Sequence, residues 1–437
     1  MTAASFKFLS VSDLHFNPCY DKAIVKRLFQ SGPEDWDSIF KSSTIKTPSP
    51  FYQDTNYPLL TSFLEDAGSR GDFDFILFSG DFLGHDLRDL YQQSSGDASF
   101  SDYEAFISKT VSFLSACFQE TFPGKVIFPC IGNDDNYDGD YKITPGSGFL
   151  DMVTECWAPI LNLAEKRGQT SFFETFPKGG YYTAALPGLP NRRLIVLNNI
   201  FMSQSYAGGC APGLVYAQLA WFKEMLSDCK EKGEKAWVVF HEPLGINVYT
   251  SLHPKNKTLA DTPVPFMKTR YYEVLFRHLG TFYPDIEVIF SGHTHMDDFR
   301  VMLGSEDKPL LYNHITPAVS PLFGNNPGYQ VFTVNRDTLV PSDYTTRFLN
   351  LLEIKGDTPG VWADEYSFGK TYGKTTIDAQ TMKGIWDDLG KPGAGQTDFM
   401  TYYDVSNTGS PGLTKDNWQA NYDGIIDITI KEFARDI

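Results

Sequence analysis

The stretch Phe6-Lys-Phe-Leu-Ser-Val-Ser-Asp13-Leu-His15 is a short apolar run that stops abruptly in a carboxylate and an imidazole. A run of this length, rich in bulky side chains and bounded by polar residues, reads as a buried strand. Asp13 and His15 are two residues apart and share one side of an extended chain. The same signature returns along the sequence. Phe73 to Phe78 ends in Ser-Gly-Asp81, Val126 to Ile131 in Gly-Asn133-Asp-Asp, and Leu194 to Leu197 in Asn-Asn. Ala236 to Phe240 ends in His241-Glu-Pro, and Ile286 to Phe290 in Ser-Gly-His293-Thr-His295. Helical spacing fills the gaps, over Tyr57 to Ala67, Tyr103 to Phe118, Tyr216 to Lys230 and Tyr271 to Leu279. Strands alternating with helices predict an α/β fold, whose ligands bind beyond the carboxyl ends of the strands. Two further strands are expected at Pro309 to His314 and Tyr329 to Asn335.

After residue 335 the texture changes. Gly, Asp, Thr, Tyr and Trp become frequent and strand runs vanish. Helices are expected at Val361 to Gly369, Asp378 to Leu389 and Thr397 to Tyr403. The expected organisation is therefore a domain over residues 1–335 and a mainly helical subdomain over 336–437.

Composition narrows the function classes. The 437 residues are 42% hydrophobic and 21% charged, a globular balance that excludes intrinsic disorder. Thirty-seven basic against 54 acidic residues give a formal charge of −17. That excludes a binder of nucleic-acid duplexes working through a basic face, and a polybasic membrane patch. No apolar run reaches the roughly 18 residues of a membrane span, so no transmembrane segment is expected. The N-terminus lacks the basic and long apolar regions of a signal peptide. The six cysteines form no CxxC pair, so a thiolate zinc site has no support, although their even number allows up to three disulfides. Cys130, inside an apolar run, reads as a buried thiol.

Five of the eight histidines, His15, His85, His241, His293 and His295, fall at or just beyond strand ends. One histidine of this kind would be an ordinary structural residue; five at one sheet edge are a constellation. With Asp13, Asp81 and Asn133 they offer imidazole, carboxylate and amide oxygen, the donors that suit Zn²⁺, Mn²⁺ or Fe²⁺. Asp13, His15, Asp81, Asn133, His241, His293 and His295 exceed the needs of one tetrahedral ion. They suit a pair about 3.5–4 Å apart that shares one carboxylate. Such a pair supplies hydroxide near neutral pH and stabilises charge in displacement at phosphorus, which predicts hydrolysis of a phosphate ester.

The ordered series Asp-x-His, Gly-Asp, Gly-Asn-x-Asp, His and Gly-His-x-His resembles the calcineurin-like metallophosphoesterase superfamily. Gly80-Asp-Phe-Leu-Gly-His85-Asp86, Ile315-Thr-Pro-Ala-Val-Ser-Pro with Asn325-Asn-Pro-Gly-Tyr329, and Trp362-x-x-Glu-Tyr366 with the Phe399 to Tyr403 region are similar to its acid sphingomyelinase-like phosphodiesterase branch. The resemblance implies a metallophosphoesterase β-sandwich flanked by helices, followed by a helical tail. It implies two divalent ions, zinc by the branch, one held by Asp13, His15 and His295, the other by Asn133, His241 and His293, with Asp81 bridging. Gly84 stands where an iron–tyrosinate phosphatase has Tyr, which fits the same reading. His85 is implied beside the phosphate as a charge stabiliser or proton donor. An extracytoplasmic location is implied by the same likeness.

The implied substrate is a soluble small-molecule phosphodiester or phosphoanhydride of nucleotide or phosphocholine type, attacked at phosphorus by metal-activated hydroxide. A sphingomyelinase-type lipid phosphodiesterase is the alternative. The branch's lipid-cleaving members carry an N-terminal lipid-presenting domain, and here the first motif begins at residue 13. A non-catalytic binding protein on the same scaffold is the second alternative. One departure bears on it: the superfamily reads Gly-Asn-His where this chain has Gly132-Asn133-Asp134. The missing histidine is the one usually credited with contacting phosphate or protonating the leaving group, so three outcomes are open: His85 acts alone, which is favoured, the pH optimum is acidic, or the preferred substrates have good leaving groups.

Overall fold

The computed structural model describes residues 6–96, 99–165, 170–253 and 258–426. Two six-stranded mixed sheets form its centre. The strands are β1 (Phe6–Val11), β2 (Phe75–Phe78), β3 (Val126–Pro129), β4 (Tyr182–Ala185), β5 (Arg192–Val196), β6 (Lys235–Val239), β7 (Ile286–Ser291), β8 (Asp298–Leu303), β9 (Pro309–Ile315), β10 (Gly328–Val334), β11 (Pro341–Leu349) and β12 (Trp362–Ser367). The first sheet runs β12-β11-β10-β1-β2-β3 and the second β4-β5-β6-β7-β9-β8. Each has a parallel centre: β1, β2 and β3 in one, β5, β6, β7 and β9 in the other. Antiparallel strands extend the first sheet on the β1 side through β10, β11 and β12, and form both edges of the second, β4 and β8.

Parallel strands are buried on both faces and so read as unbroken apolar runs. Phe75-Ile-Leu-Phe78 of β2 is buried throughout. The two sheets meet through aromatic rings. Phe8 of β1 lies edge-on to Trp237 of β6 at 5.2 Å and to Phe290 of β7 at 5.7 Å, and Phe332 of β10 meets Phe290 at 5.5 Å. The abundant Phe and Tyr therefore fill the space between the sheets, where offset and edge-on rings pack most favourably.

Helices cover the outer faces. The helix Tyr57–Arg70 starts at Asn56, whose side chain accepts from the Leu59 N–H, with Pro58 in its first turn. Both features are standard helix-start chemistry. The helices Phe100–Thr121, Pro212–Lys232 and Thr269–Phe282 lie where the spacing places them. No helix among the described residues is long and apolar enough to cross a membrane. All six cysteines are free thiols. The one glycosylation sequon of the sequence, Asn256-Lys-Thr258, has its asparagine outside the described residues.

The expectation that strands end near residue 335 is corrected. β11 and β12 extend the first sheet beyond β10, and the helix expected at Val361 to Gly369 is β12 followed by the short helix Phe368–Tyr372. Trp362 and Tyr366 fall on one face of β12 and are buried, while Ala363 and Asp364 are exposed. The two-residue alternation that marks a half-buried strand is short here and sits among polar residues. The helices Ala379–Leu389 and Ala394–Tyr402 match the sequence reading closely. The edge strands β4 and β8, absent from the sequence reading, complete the second sheet.

Candidate active site

All seven expected ligands leave the carboxyl ends of parallel strands and converge. Asp13 and His15 follow β1, Asp81 follows β2, Asn133 follows β3, His241 follows β6, and His293 and His295 follow β7. Asp13, His15, Asp81, His293 and His295 hold positive φ angles between 44° and 71°. For non-glycine residues this left-handed conformation carries strain that persists where surrounding structure enforces it, often at functional sites.

Two neighbouring glycines make the convergence geometrically feasible. A Cβ on Gly132 would lie 2.0 Å from Asp81 Oδ1. One on Gly292 would lie 2.4 Å from Asp13 Oδ2. Only glycine permits such close approach of backbone to a carboxylate.

The donor atoms form two adjoining sets. In the first, His15 Nε2 lies 3.1 Å from His295 Nε2 and 3.7 Å from Asp13 Oδ1, with His295 Nε2 3.5 Å from the same oxygen. In the second, Asn133 Oδ1 lies 2.9 Å from both His241 Nε2 and His293 Nδ1. Asp81 Oδ2 stands between the sets, 3.1 Å from His241 Nε2 and 3.4 Å from His15 Nε2. Four donors held tetrahedrally at about 2.0–2.1 Å from zinc are separated by about 3.3 Å. The residues present thus fit a pair of divalent ions in donor type and spacing.

Outer contacts fix the rings. His241 Nδ1 donates to the Ser79 carbonyl at 2.7 Å and His15 Nδ1 to the Leu83 carbonyl at 3.2 Å, which turns each Nε2 lone pair toward the centre. Tyr141 Oη lies 3.3 Å from His293 Nε2. The Asp135 carboxylate accepts from the N–H groups of Asp81, Phe82, Leu83 and Gly132 at 2.9–3.2 Å. It ties the loop after β2 to the loop after β3.

The electrostatics call for cations. Burial acts to raise the Asp13 carboxyl, but His295, His15 and His241 outweigh it and bring its pKa to about 2. Asp81 is lowered in the same way by His241 and His15. Burial disfavours a charged His241, yet Asp81 and Asp13 raise its pKa to about 10. Burial holds His293 and His295 down at about 3, leaving neutral imidazoles of the kind a metal binds.

His85 sits at the rim, half-buried. Its Nδ1 lies 3.0 Å from Asp54 Oδ1, and its backbone N–H donates to Asp54 Oδ2 at 2.8 Å. Its Nε2 is 3.3 Å from Asp134 Oδ2, and its ring stacks on His15 at 4.4 Å. Asp134, the residue that departs from the usual motif, is buried, accepts from Asn133 Nδ2 at 3.0 Å, and has its carboxyl raised by burial and by Asp81. His253, His278 and His314 lie away from this centre. The sequence reading missed Asp54, which sits in a polar loop with no motif around it. It also missed Asp135 as a clamp, although that residue belongs to the quoted Gly-Asn-x-Asp. Tyr141 comes from the polar loop after Asn133.

Comparison with known proteins agrees. The profile for calcineurin-like phosphoesterases matches residues 6–297. The chain is 25% identical over 422 residues to the cyclic GMP-AMP phosphodiesterase SMPDL3A of Rattus norvegicus, covering 91% of this chain and 83% of that protein. It is 26% identical over 419 residues to human acid sphingomyelinase-like phosphodiesterase 3b, covering 92% and 83%. A solved dimetal phosphatase from Danio rerio aligns with a TM-score of 0.42 at 12% identity, over 83% of this chain and 99% of that one. With its ordered motifs at the ends of the parallel strands and the family profile spanning well over half its length, the chain belongs to the calcineurin-like phosphoesterase family.

Proposed function

We propose that the chain is a dimetal hydrolase of phosphodiester or phosphoanhydride bonds in a soluble substrate of nucleotide or phosphocholine type. The convergence of seven oxygen and nitrogen donors from five strand ends, at the spacing of an ion pair's coordination edges, carries this reading. Asp13, His15 and His295 would hold one ion, Asn133, His241 and His293 the other, and Asp81 would be shared. Zinc fits the imidazole-rich donor set best, with Mn²⁺ and Fe²⁺ as competitors. When bound, such ions polarise the phosphoryl oxygens and bring the pKa of water near 7.

The chain's own residues do the rest. The outer contacts of His15 and His241 fix which nitrogen faces the centre. Asp135 holds the two loops that position Asp81 and Asn133. His85 is oriented by Asp54 at Nδ1, stacks on His15 and presents Nε2 beside Asp134, from where it would give a proton to the departing alcohol oxygen. The named phosphodiesterase relatives support a diester over a monoester.

The test is hydrolysis of bis(p-nitrophenyl) phosphate after exhaustive chelation and after Zn²⁺ or Mn²⁺ is returned. We expect turnover to vanish with the metals and to return with about two ions per chain by elemental analysis. Two bound ions without turnover of any diester would establish the binding-protein alternative. No bound ion would end the reading.

A further inference from the structure

Most aromatic side chains among the described residues are buried or half-buried, yet Phe323 stands open beside the site and Tyr52 stands open beside the Phe323 loop. Phe323 is 55% exposed and Tyr52 is 62% exposed. The Phe323 ring lies perpendicular to His295 with centroids 4.6 Å apart, and edge-on to His85 at 6.3 Å. It therefore borders both the donor cluster and the residue that faces the leaving group.

The loops carrying these rings are pinned. Pro321 O accepts from the Tyr52 N–H at 3.0 Å and from the Gly324 N–H at 3.1 Å, joining the two loops. Asn407 Nδ2 donates to Gly324 O at 2.5 Å. Asn325 Nδ2 donates to Ser320 O at 3.0 Å, and the Asn326 N–H to Asp404 O at 3.2 Å.

Tyr52 itself holds φ at 67°, an unusual state for a bulky residue. A Cβ on Gly324 would press within 3.1–3.3 Å of the Tyr52 ring, so glycine there makes room for it. The same loop supplies Asp54 to His85. An exposed ring costs hydration, and a strained backbone costs conformational energy. Holding both rigid beside a reaction centre is what a preorganised binding surface requires.

We propose that Phe323 and Tyr52 form an aromatic shelf that stacks a nucleobase in the leaving half of the substrate, making them the specificity-determining residues of this site. A planar base needs one flat face and keeps its other side and edges in water. A quaternary ammonium is instead held best by several rings that enclose it, and rings more than half exposed offer an open face. The proposal rests on the hydrolase reading above and deepens it.

The test compares thymidine 5′-(methyl phosphate) with the same ester carrying hydrogen in place of thymine. The two share the reacting alcohol and differ only in the base. In the metal-loaded wild type, kcat/KM for the base-bearing ester should exceed that of the abasic one by about 5- to 100-fold, the range that base–aromatic stacking supplies. Phe323→Leu should collapse this ratio toward one, and Phe323→Trp should keep it. Tyr52→Ala should lower it by a smaller factor. Independently of turnover, NMR saturation transfer should reach the thymine protons of thymidine 5′-phosphate in the wild type and weaken in Phe323→Leu. A wild-type ratio near one, or equal losses on both esters in Phe323→Leu, would overturn the shelf. So would a preference for p-nitrophenyl phosphorylcholine that depends on Phe323. Turnover of bis(p-nitrophenyl) phosphate separates the outcomes: if it persists, only the shelf fails; if it is absent, the hydrolase reading fails first.

Discussion

His85 is the residue at which sequence and structure most sharply constrain the chemistry. Asp54 grips it twice, through Nδ1 and through the backbone N–H, so its ring cannot turn freely. The family's usual second histidine is Asp134 here, and its carboxylate lies against His85 rather than offering another imidazole to substrate. Proton donation to a departing alkoxide should then fall on His85 alone. His85→Ala is expected to lower kcat/KM by about 10²- to 10⁴-fold on a diester with an alkyl leaving group, the usual contribution of a general acid. The loss on bis(p-nitrophenyl) phosphate should be under about tenfold, because nitrophenolate leaves without a proton. Equal losses on both would assign His85 to charge stabilisation instead.

A second residue, His314 of β9, shows what burial does without a functional partner. It lies between the sheets against Phe290, Phe332 and Tyr344. Burial lowers its pKa to about 4, against the Gln330 contact that raises it. Between about pH 4 and the ordinary 6.5, the unfolded imidazole holds a proton that the folded one does not. Its contribution to stability is therefore fully present above pH 6.5 and is lost as pH falls toward 4. The loss is on the order of 3 kcal/mol. Urea unfolding across that window should show a shallower acid loss in His314→Asn than in wild type.

At the scale of elements, the critical object is the pair of loops after β2 and β3. Asp135 accepts four backbone N–H groups from them while fully buried. Removing that carboxylate strands several buried donors, each costing about 1–3 kcal/mol. Asp135→Ala should destabilise the chain by about 3–5 kcal/mol in chemical denaturation. It should also weaken metal binding by at least about 10-fold, as loss of an outer-shell orienting group does; unchanged metal affinity would make the clamp purely structural.

These loops also show how far the sequence could be read. The apolar runs Phe6 to Val11 and Ile286 to Phe290, each ending in a pair of donor side chains, made the parallel strands and the convergence of these donors legible, because buried strands and the polar residues at their ends both leave strong local patterns. Asp54 was not legible, since its role depends on a loop meeting His85 from 31 residues away. β11 and β12 were obscured for a related reason. Polar residues held by tertiary partners, such as the buried Arg347 paired with Asp66 and Asp364, interrupt the apolar run that would have marked a strand.

For the whole molecule, a net charge of −17 opposes the approach of an anionic diester over long range. Two divalent ions would leave that sign unchanged. Raising ionic strength from about 10 mM to 150 mM shortens the screening length from about 30 Å to 8 Å. Under kcat/KM conditions, turnover of an anionic diester should rise a few-fold over that range, while zwitterionic p-nitrophenyl phosphorylcholine should change little.

The remaining prediction concerns where the catalytic unit ends. Residue 335 closes the last strand expected from the sequence, but the first sheet continues across it. Arg347 of β11 donates to Asp66 of the helix Tyr57–Arg70 at 2.6 and 3.2 Å. Tyr329 donates to the same carboxylate at 2.6 Å, and Trp362 Nε1 to Ser62 Oγ at 2.9 Å. On the second sheet, the Val301 N–H donates to Ile425 O and the Asp297 N–H to Tyr403 O, while Phe399 packs edge-on to Phe299 at 5.9 Å. Cutting after residue 335 would bare the β10 edge, take Arg347 from Asp66 and uncover β8 and β9. Exposed edges template aggregation, and a typical domain has only roughly 5–15 kcal/mol of stability to lose. A chain of residues 1–335 should therefore be recovered insoluble or without a cooperative thermal transition, whereas the full chain should unfold cooperatively. Cooperative unfolding and hydrolysis by residues 1–335 would instead show that the strands and helices beyond are an added subdomain, dispensable to the site.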